Sequence, residues 1–134
     1  MTKFNFRLSE LTYSRVAKLH GIDNVPTGTE YINLANLVQF VLQPMRDKHG
    51  SPLLVNSGYR CPEVNKIVGG AQNSQHMLGE AADITTGSIA KNAALFEWAS
   101  KNLPFDQIIL ELSGKWIHVS YKTIGENRYQ VLRT

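Results

Sequence analysis

Apolar residues between Glu30 and about Lys48 fall at Leu34, Leu37, Val38, Val41, Leu42 and Met45. That i, i+3, i+4 stripe predicts an amphipathic helix, kinked near its end by Pro44 and closed by Asp47–Gly50. A second helical pattern runs from Ser88, a capping residue, to Leu103, with Pro104 just beyond it. A shorter helix is expected over Pro62–Val68, with proline at its first turn and Gly69-Gly70 at its end. Ser14–His20 suits two helical turns stopped by Gly21. The strand signals are Pro52–Ser57, read as a short buried strand, Ala81–Thr85, and two runs, Asp106–Leu112 and Lys115–Tyr121, joined by a Ser113-Gly114 turn. Arg128–Leu132 adds a candidate edge strand, and Ala71–Glu80 reads as loop. These elements predict an α+β fold: a small, mostly antiparallel sheet with helices packed on one side. The whole chain, 1–134, is expected to be a single domain, with an irregular lead-in over 1–30 and a core over 31–134.

Composition narrows the class. The chain has 134 residues, 43% of them apolar and 19% charged, which suits one soluble globular domain. A net charge of +3 is mildly basic, but Lys and Arg are scattered rather than clustered, so no nucleic-acid partner is expected. A lone cysteine, Cys61, excludes an internal disulfide and a cysteine metal cage, and it reads as a bystander thiol. No apolar run reaches the length of a membrane span, and the first residues lack the apolar stretch of a signal peptide. Synthesis in the cytoplasm is therefore expected, with release or delivery needed to reach any substrate outside the membrane. The expected state is a monomer.

The chemistry concentrates between Ser57 and Ile84 and in the run Trp116–Tyr121. His76 and Asp83 lie seven residues apart, too far for neighbours on one helical turn. Gly79, Ala81 and Ala82 let the loop return into a strand and bring the two side chains together. Strand alternation puts Trp116, His118 and Ser120 on one face. Each residue alone reads better as an ordinary loop or strand residue than as a ligand. Together, two imidazoles and a carboxylate are a three-ligand set for catalytic zinc, with a fourth position left open. If Ser113-Gly114 is the hairpin turn, Glu111 stands opposite Trp116 on the face of His118, placed to act as a base or simply to pair with Lys115. Glu80 is a lesser candidate, expected to point outward. Arg60 can bind a substrate carboxylate or a developing oxyanion, or pair structurally with Glu63. Ser74 can contact substrate or close a local turn.

The run Ser57-Gly-Tyr-Arg60, Asn65, Gly69-Gly70, Ser74-x-His76-x-x-Gly79-x-Ala81-x-Asp83-Ile84, followed by Trp116-Ile-His118-Val-Ser-Tyr, closely resembles the M15 family of zinc peptidases, nearest to its short phage and prophage branch. The resemblance covers about Leu34 to Tyr121. It implies the α+β fold shared with the hedgehog signalling domain, and Zn²⁺ held by His76, Asp83 and His118. It also implies Arg60 as the substrate or transition-state arginine and peptidoglycan stem peptides, cut at or near D-Ala bonds, as substrate. Many family members carry an Asp or Glu three residues before the last histidine, where this chain has Lys115. Short-branch members resemble it in placing a glutamate on the preceding strand, here Glu111. The alternative is a zinc-stabilised module that binds cell wall or a protein without turnover.

Overall fold

The computed structural model describes residues 4–134. Five strands form one sheet in the order β1-β2-β4-β3-β5: β1 Leu54–Ser57, β2 Ala81–Thr85, β3 Gln107–Glu111, β4 Trp116–Ser120 and β5 Gln130–Arg133. Neighbours pair antiparallel except β3 with β5, which run parallel. The helices are α1 Leu8–Thr12, α2 Arg15–His20, α3 Gly28–Leu37, α4 Gln43–His49, α5 Pro62–Ile67 and α6 Ile89–Asn102. The α+β class and the largely antiparallel sheet are as expected.

Alternation along the central strands separates two faces. Ala82, Ile84, Ile108, Ile117 and Val119 are fully buried on one of them, joined in the core by Leu37, Val41, Leu42 and Met45 from the long helical segment and by Phe96 from α6. The other face carries the polar members of the same strands. Alternation is therefore what frees a whole sheet face for chemistry while the strands stay anchored.

Several local features differ from the sequence reading, each for a physical reason. The expected helix over 30–48 is interrupted before Pro44, at a π-helical turn spanning Val38–Leu42, where the Gln43 N–H reaches back five residues to the Val38 carbonyl. Proline lacks an N–H and its ring crowds the carbonyl four residues back, so a widened turn just ahead of it relieves both problems. Strand β1 is not buried. It lies at the sheet edge with Leu54 62% exposed, and the buried member of the run is Leu53. The stretch 71–80 contains a 3₁₀ turn, Gln75–Leu78. The β3–β4 turn places Leu112 and Ser113 at positive φ ahead of Gly114, with the Glu111 carbonyl accepting from both Gly114 and Lys115. Glu111 nonetheless pairs with Trp116, the register anticipated from the hairpin.

Residues 4–30 are more than a lead-in. They form α1 and α2, and Leu11 and Ala17 are buried in the core. Asn24 ties the segment inward, donating to the Thr12 and Tyr59 carbonyls and accepting from the Cys61 N–H. The Leu11 carbonyl accepts from Tyr59 N at 2.7 Å, so α1 lies directly against Gly58. A Cβ on Gly58 would sit 2.1 Å from the Leu11 carbonyl oxygen. Gly58→Ala is expected to lower the unfolding free energy by about 2 kcal/mol or more, since neither backbone can yield without moving a buried element. Urea titration measures this, and an unchanged midpoint would show that the Leu11 segment moves aside at no cost.

Candidate active site

Three separate elements deliver the central residues to the polar face of the sheet. Asp83 on β2 stands directly opposite His118 on the neighbouring β4. His76 comes from the 3₁₀ turn, which Ser74 caps by accepting from the His76 N–H, and which ends at Gly79 with φ +72°. A Cβ at Gly79 would lie 2.3 Å from the Glu30 carbonyl oxygen, so only glycine lets this turn sit against α3. The result brings one atom each from His76, Asp83 and His118 within 4.8 Å of one another.

The donor arrangement fits a cation. His76 Nδ1 lies 2.7 Å from the Gly58 carbonyl oxygen, an acceptor only, so this nitrogen carries the proton. A neutral His76 then turns the lone pair of Nε2 toward Asp83 Oδ2, 3.4 Å away. Two acceptors facing each other at that distance are mutually satisfied by a metal ion between them. His118 Nδ1 lies 2.9 Å from Asp83 Oδ1. Zinc bonds of about 2.0–2.2 Å in a tetrahedral arrangement place ligand atoms roughly 3.4 Å apart, and a set of two imidazoles and a carboxylate is one that Zn²⁺ takes. Burial by itself raises the pKa of Asp83, but hydrogen bonds and positive charge from the His118 and His76 rings in their protonated form outweigh that and hold the carboxyl well below the usual carboxylate range, and a cation held among the three groups acts in the same direction. The carboxylate is thus ionised at neutral pH, the form a metal requires.

These three residues share an open cleft of about 470 Å³ with Arg60, Ser74 and Glu111. Arg60 does not pair with Glu63; its Nη2 donates to Ser74 Oγ at 3.3 Å, and its backbone N–H donates to the His76 carbonyl. Burial lowers the Arg60 pKa while the nearby Asp83 charge opposes the change, and arginine remains a cation. Its Nε is buried without a protein partner. Glu111 lies on the His118 face one register step away, opposite Trp116, and its Oε1 accepts from Thr134 Oγ1 at 3.3 Å rather than pairing with Lys115. Lys115 is exposed on the hairpin turn and does not line the cleft. Glu80 does not point outward as expected. It is half-buried, accepting from Gln75 Nε2 at 3.2 Å, and burial raises its pKa, although it too stays outside the cleft lining.

Two features escaped the sequence reading. One is the Gly58 carbonyl, which orients His76; a backbone acceptor leaves no signal in residue types. The other is Asp106, fully buried, to which Arg128 donates from Nε at 3.1 and 3.2 Å and from Nη2 at 2.8 Å. Gln75 Nε2 also donates to Asp106, at 3.1 Å, so this buried carboxylate braces the turn that carries His76. An acid immediately before an apolar strand, with an arginine 22 positions on, was the available hint.

Fold and cleft together define an α+β domain with a cluster of candidate metal ligands on the open face of its sheet. The family model described as Peptidase M15 matches residues 4–120, and the chain belongs to that family. Over 76 residues it is 40% identical to the zinc D-Ala-D-Ala carboxypeptidase of Streptomyces albus G, an alignment covering 56% of this chain and 29% of that protein. The matched segment thus spans under a third of the length of that curated relative.

Two outcomes follow from this geometry. His118→Ala removes one of three donors and is expected to release most of the bound zinc, by elemental analysis after dialysis, while the wild type retains about one ion per chain. For Asp106, burial raises the pKa, but hydrogen bonds from Arg128 and the Lys122 charge carry it below its ordinary value. Its contribution to stability is then fully present above the unfolded value of about 3.9 and is lost as pH falls through the lowered folded value. Asp106→Asn is expected to cost about 1–2 kcal/mol at pH 7, discounted because Arg128 is half-exposed. In urea titrations, the gap to wild type should narrow below about pH 4; a gap independent of pH would contradict the pairing.

Proposed function

We propose that the protein is a zinc-dependent peptidase that hydrolyses peptidoglycan stem peptides at or next to D-Ala bonds. The observation that carries this reading is the meeting of His76, Asp83 and His118 in a cleft that also holds an acid, Glu111, and a cation, Arg60. Kinship with a zinc D-Ala-D-Ala carboxypeptidase supplies the substrate class.

His76, Asp83 and His118 would hold the metal. Zinc, when bound, supplies a Lewis acid for the scissile carbonyl and lowers the pKa of water. The chain's own groups do the rest. The Glu111 carboxylate takes the proton from the attacking water and hands it to the leaving amine as the C–N bond breaks. Thr134 and the β3–β4 register fix the position of that carboxylate. Arg60, braced by Ser74, turns its guanidinium toward the oxygen on which negative charge develops. Ser74 serves this reading as the group that positions both Arg60 and the His76 turn. The Gly58 carbonyl keeps the His76 proton on Nδ1, so that Nε2 remains a donor to the metal.

Purified peptidoglycan and short D-Ala-terminated peptides, digested with and without a zinc chelator and read by mass spectrometry, test the proposal. Chelator-sensitive release of D-Ala or loss of cross-linked dimers is expected. Glu111→Gln should reduce turnover by about 10²-fold or more while leaving zinc content unchanged. Bound zinc with no cleavage of any such substrate would replace this reading with that of a binding module.

A further inference from the structure

The cleft holds a second guanidinium that the mechanism leaves unused, that of Arg128. Its back edge is locked. Nε donates to both oxygens of Asp106 and Nη2 to one of them, while the Arg128 backbone N–H adds a bond of 3.0 Å. Asp106 has no exposed surface; Gln75 donates to it and Lys122 Nζ stands 3.7 Å away. A buried carboxylate of this kind fixes the arginine as a structural part rather than a mobile surface chain. Of the five N–H bonds of a guanidinium, those on Nη1 and one on Nη2 stay free, and the side chain is 51% exposed. The rotamer freedom normally lost when an arginine binds an anion has already been lost on folding. Glu80 and Lys122, the other charges of this network, do not line the cleft, so what the cleft presents there is the arginine's open edge.

Register places this edge relative to the chemistry. On the polar face, Glu111 pairs with Trp116, Ile109 with His118, and Gln107 with Ser120. Same-face positions along a strand are about 7 Å apart. The cleft therefore runs along β3 and β4 with the acid Glu111 at one end and the His76, Asp83 and His118 cluster in the middle. Arg128, anchored beside Gln107 through Asp106, stands at the other end. One extended amino-acid residue spans about 3.5 Å. A single residue beyond a bond cut at the cluster would thus bring its own carboxylate within reach of a long guanidinium one register step away.

We propose that Arg128 is the carboxylate anchor of the cleft: it binds the free α-carboxylate of the residue released from the substrate's end, and so selects peptides with a free terminus. This rests on the peptidase reading and deepens it, choosing the carboxypeptidase mode. A carboxylate on the side chain of the released residue has the same chemistry, and the test separates the two.

Three peptides serve as probes: an N-acylated peptide ending in D-Ala-D-Ala, its terminal carboxamide, and a carboxamide whose last residue is D-Asp. The zinc-loaded wild type is expected to favour the free acid over its amide in kcat/KM by about 10- to 100-fold, the size of one charge-assisted hydrogen-bond pair. Arg128→Lys keeps a cation against buried Asp106 but loses the fork, and Asp106→Asn/Arg128→Gln removes both charges together, so neither leaves an unpaired buried carboxylate. In both variants the acid-to-amide ratio should fall toward one, mainly through KM. An unchanged ratio overturns the proposal, and a preference for the D-Asp amide equal to that for the free acid overturns its assignment to the terminal carboxylate. A second readout needs no turnover. The ¹⁵N-attached proton of Arg128 Nε in the zinc-loaded protein should shift on titration with N-acetyl-D-alanine and not with its amide. Failure to cut any peptide refutes the peptidase reading, and the titration still decides the anchor: a shift with the acid alone supports it, and no shift, or equal shifts, refutes it.

Discussion

The Asp83 carboxylate is only 18% exposed, set in the middle strands of the sheet, and its charge is tolerable there because imidazoles flank both of its oxygens. The ladder between β2 and β4 sets that geometry by pairing Asp83 with His118, while Ala82 pairs with Val119 and Ile84 with Ile117. A slip of one residue would turn Asp83 into the apolar core and bring Ile84 out to the cleft, exchanging a buried hydrophobic for a buried charge. Core packing and the His76, Asp83 and His118 cluster are thus locked by one register. The hydrophobic face makes the polar face reproducible.

The other two walls of the site depend on close backbone approach. The carbonyl of Gly58 reaches His76 while its bare α-carbon lies against the Leu11 carbonyl, so α1, the first strand's exit and His76 meet at one residue. Gly79 does the same between the 3₁₀ turn and α3. The small residues of this stretch are the condition for bringing a loop histidine to 3.4 Å from a strand carboxylate.

At the far end, Asp106 plays the corresponding part in polar form. Buried and ionised, it gathers Arg128, Lys122 and Gln75 around itself and so links the loop after β4, the start of β3 and the 3₁₀ turn. A buried charge is stabilising only when its hydrogen bonds are complete, and here they run to two elements distant in sequence. The cleft is held in its middle and at its Arg128 end for different reasons, sterically at Gly58 and Gly79, which seat the His76 turn, and electrostatically at Asp106.

Alternation and helical periodicity in the sequence by themselves determined the types of the longer helices and of the strands, the polar and apolar faces of β3 and β4, and the pairing of Glu111 with Trp116, because these follow from local periods of two and 3.6. The types of His76, Asp83 and His118 marked them as a candidate metal set, because donor chemistry is a property of the residue. Tertiary structure alone decided what depends on distant partners. The π turn ahead of Pro44, the exposure of Leu54 at a sheet edge, the inward turn of Glu80, and the burial of Leu11 and Ala17 all depend on what packs alongside. So do the Gly58 carbonyl that orients His76 and the Asp106 carboxylate that fixes Arg128. A backbone acceptor has no residue signature, and an ion pair that closes across 22 positions exists only once the sheet has brought its two ends together.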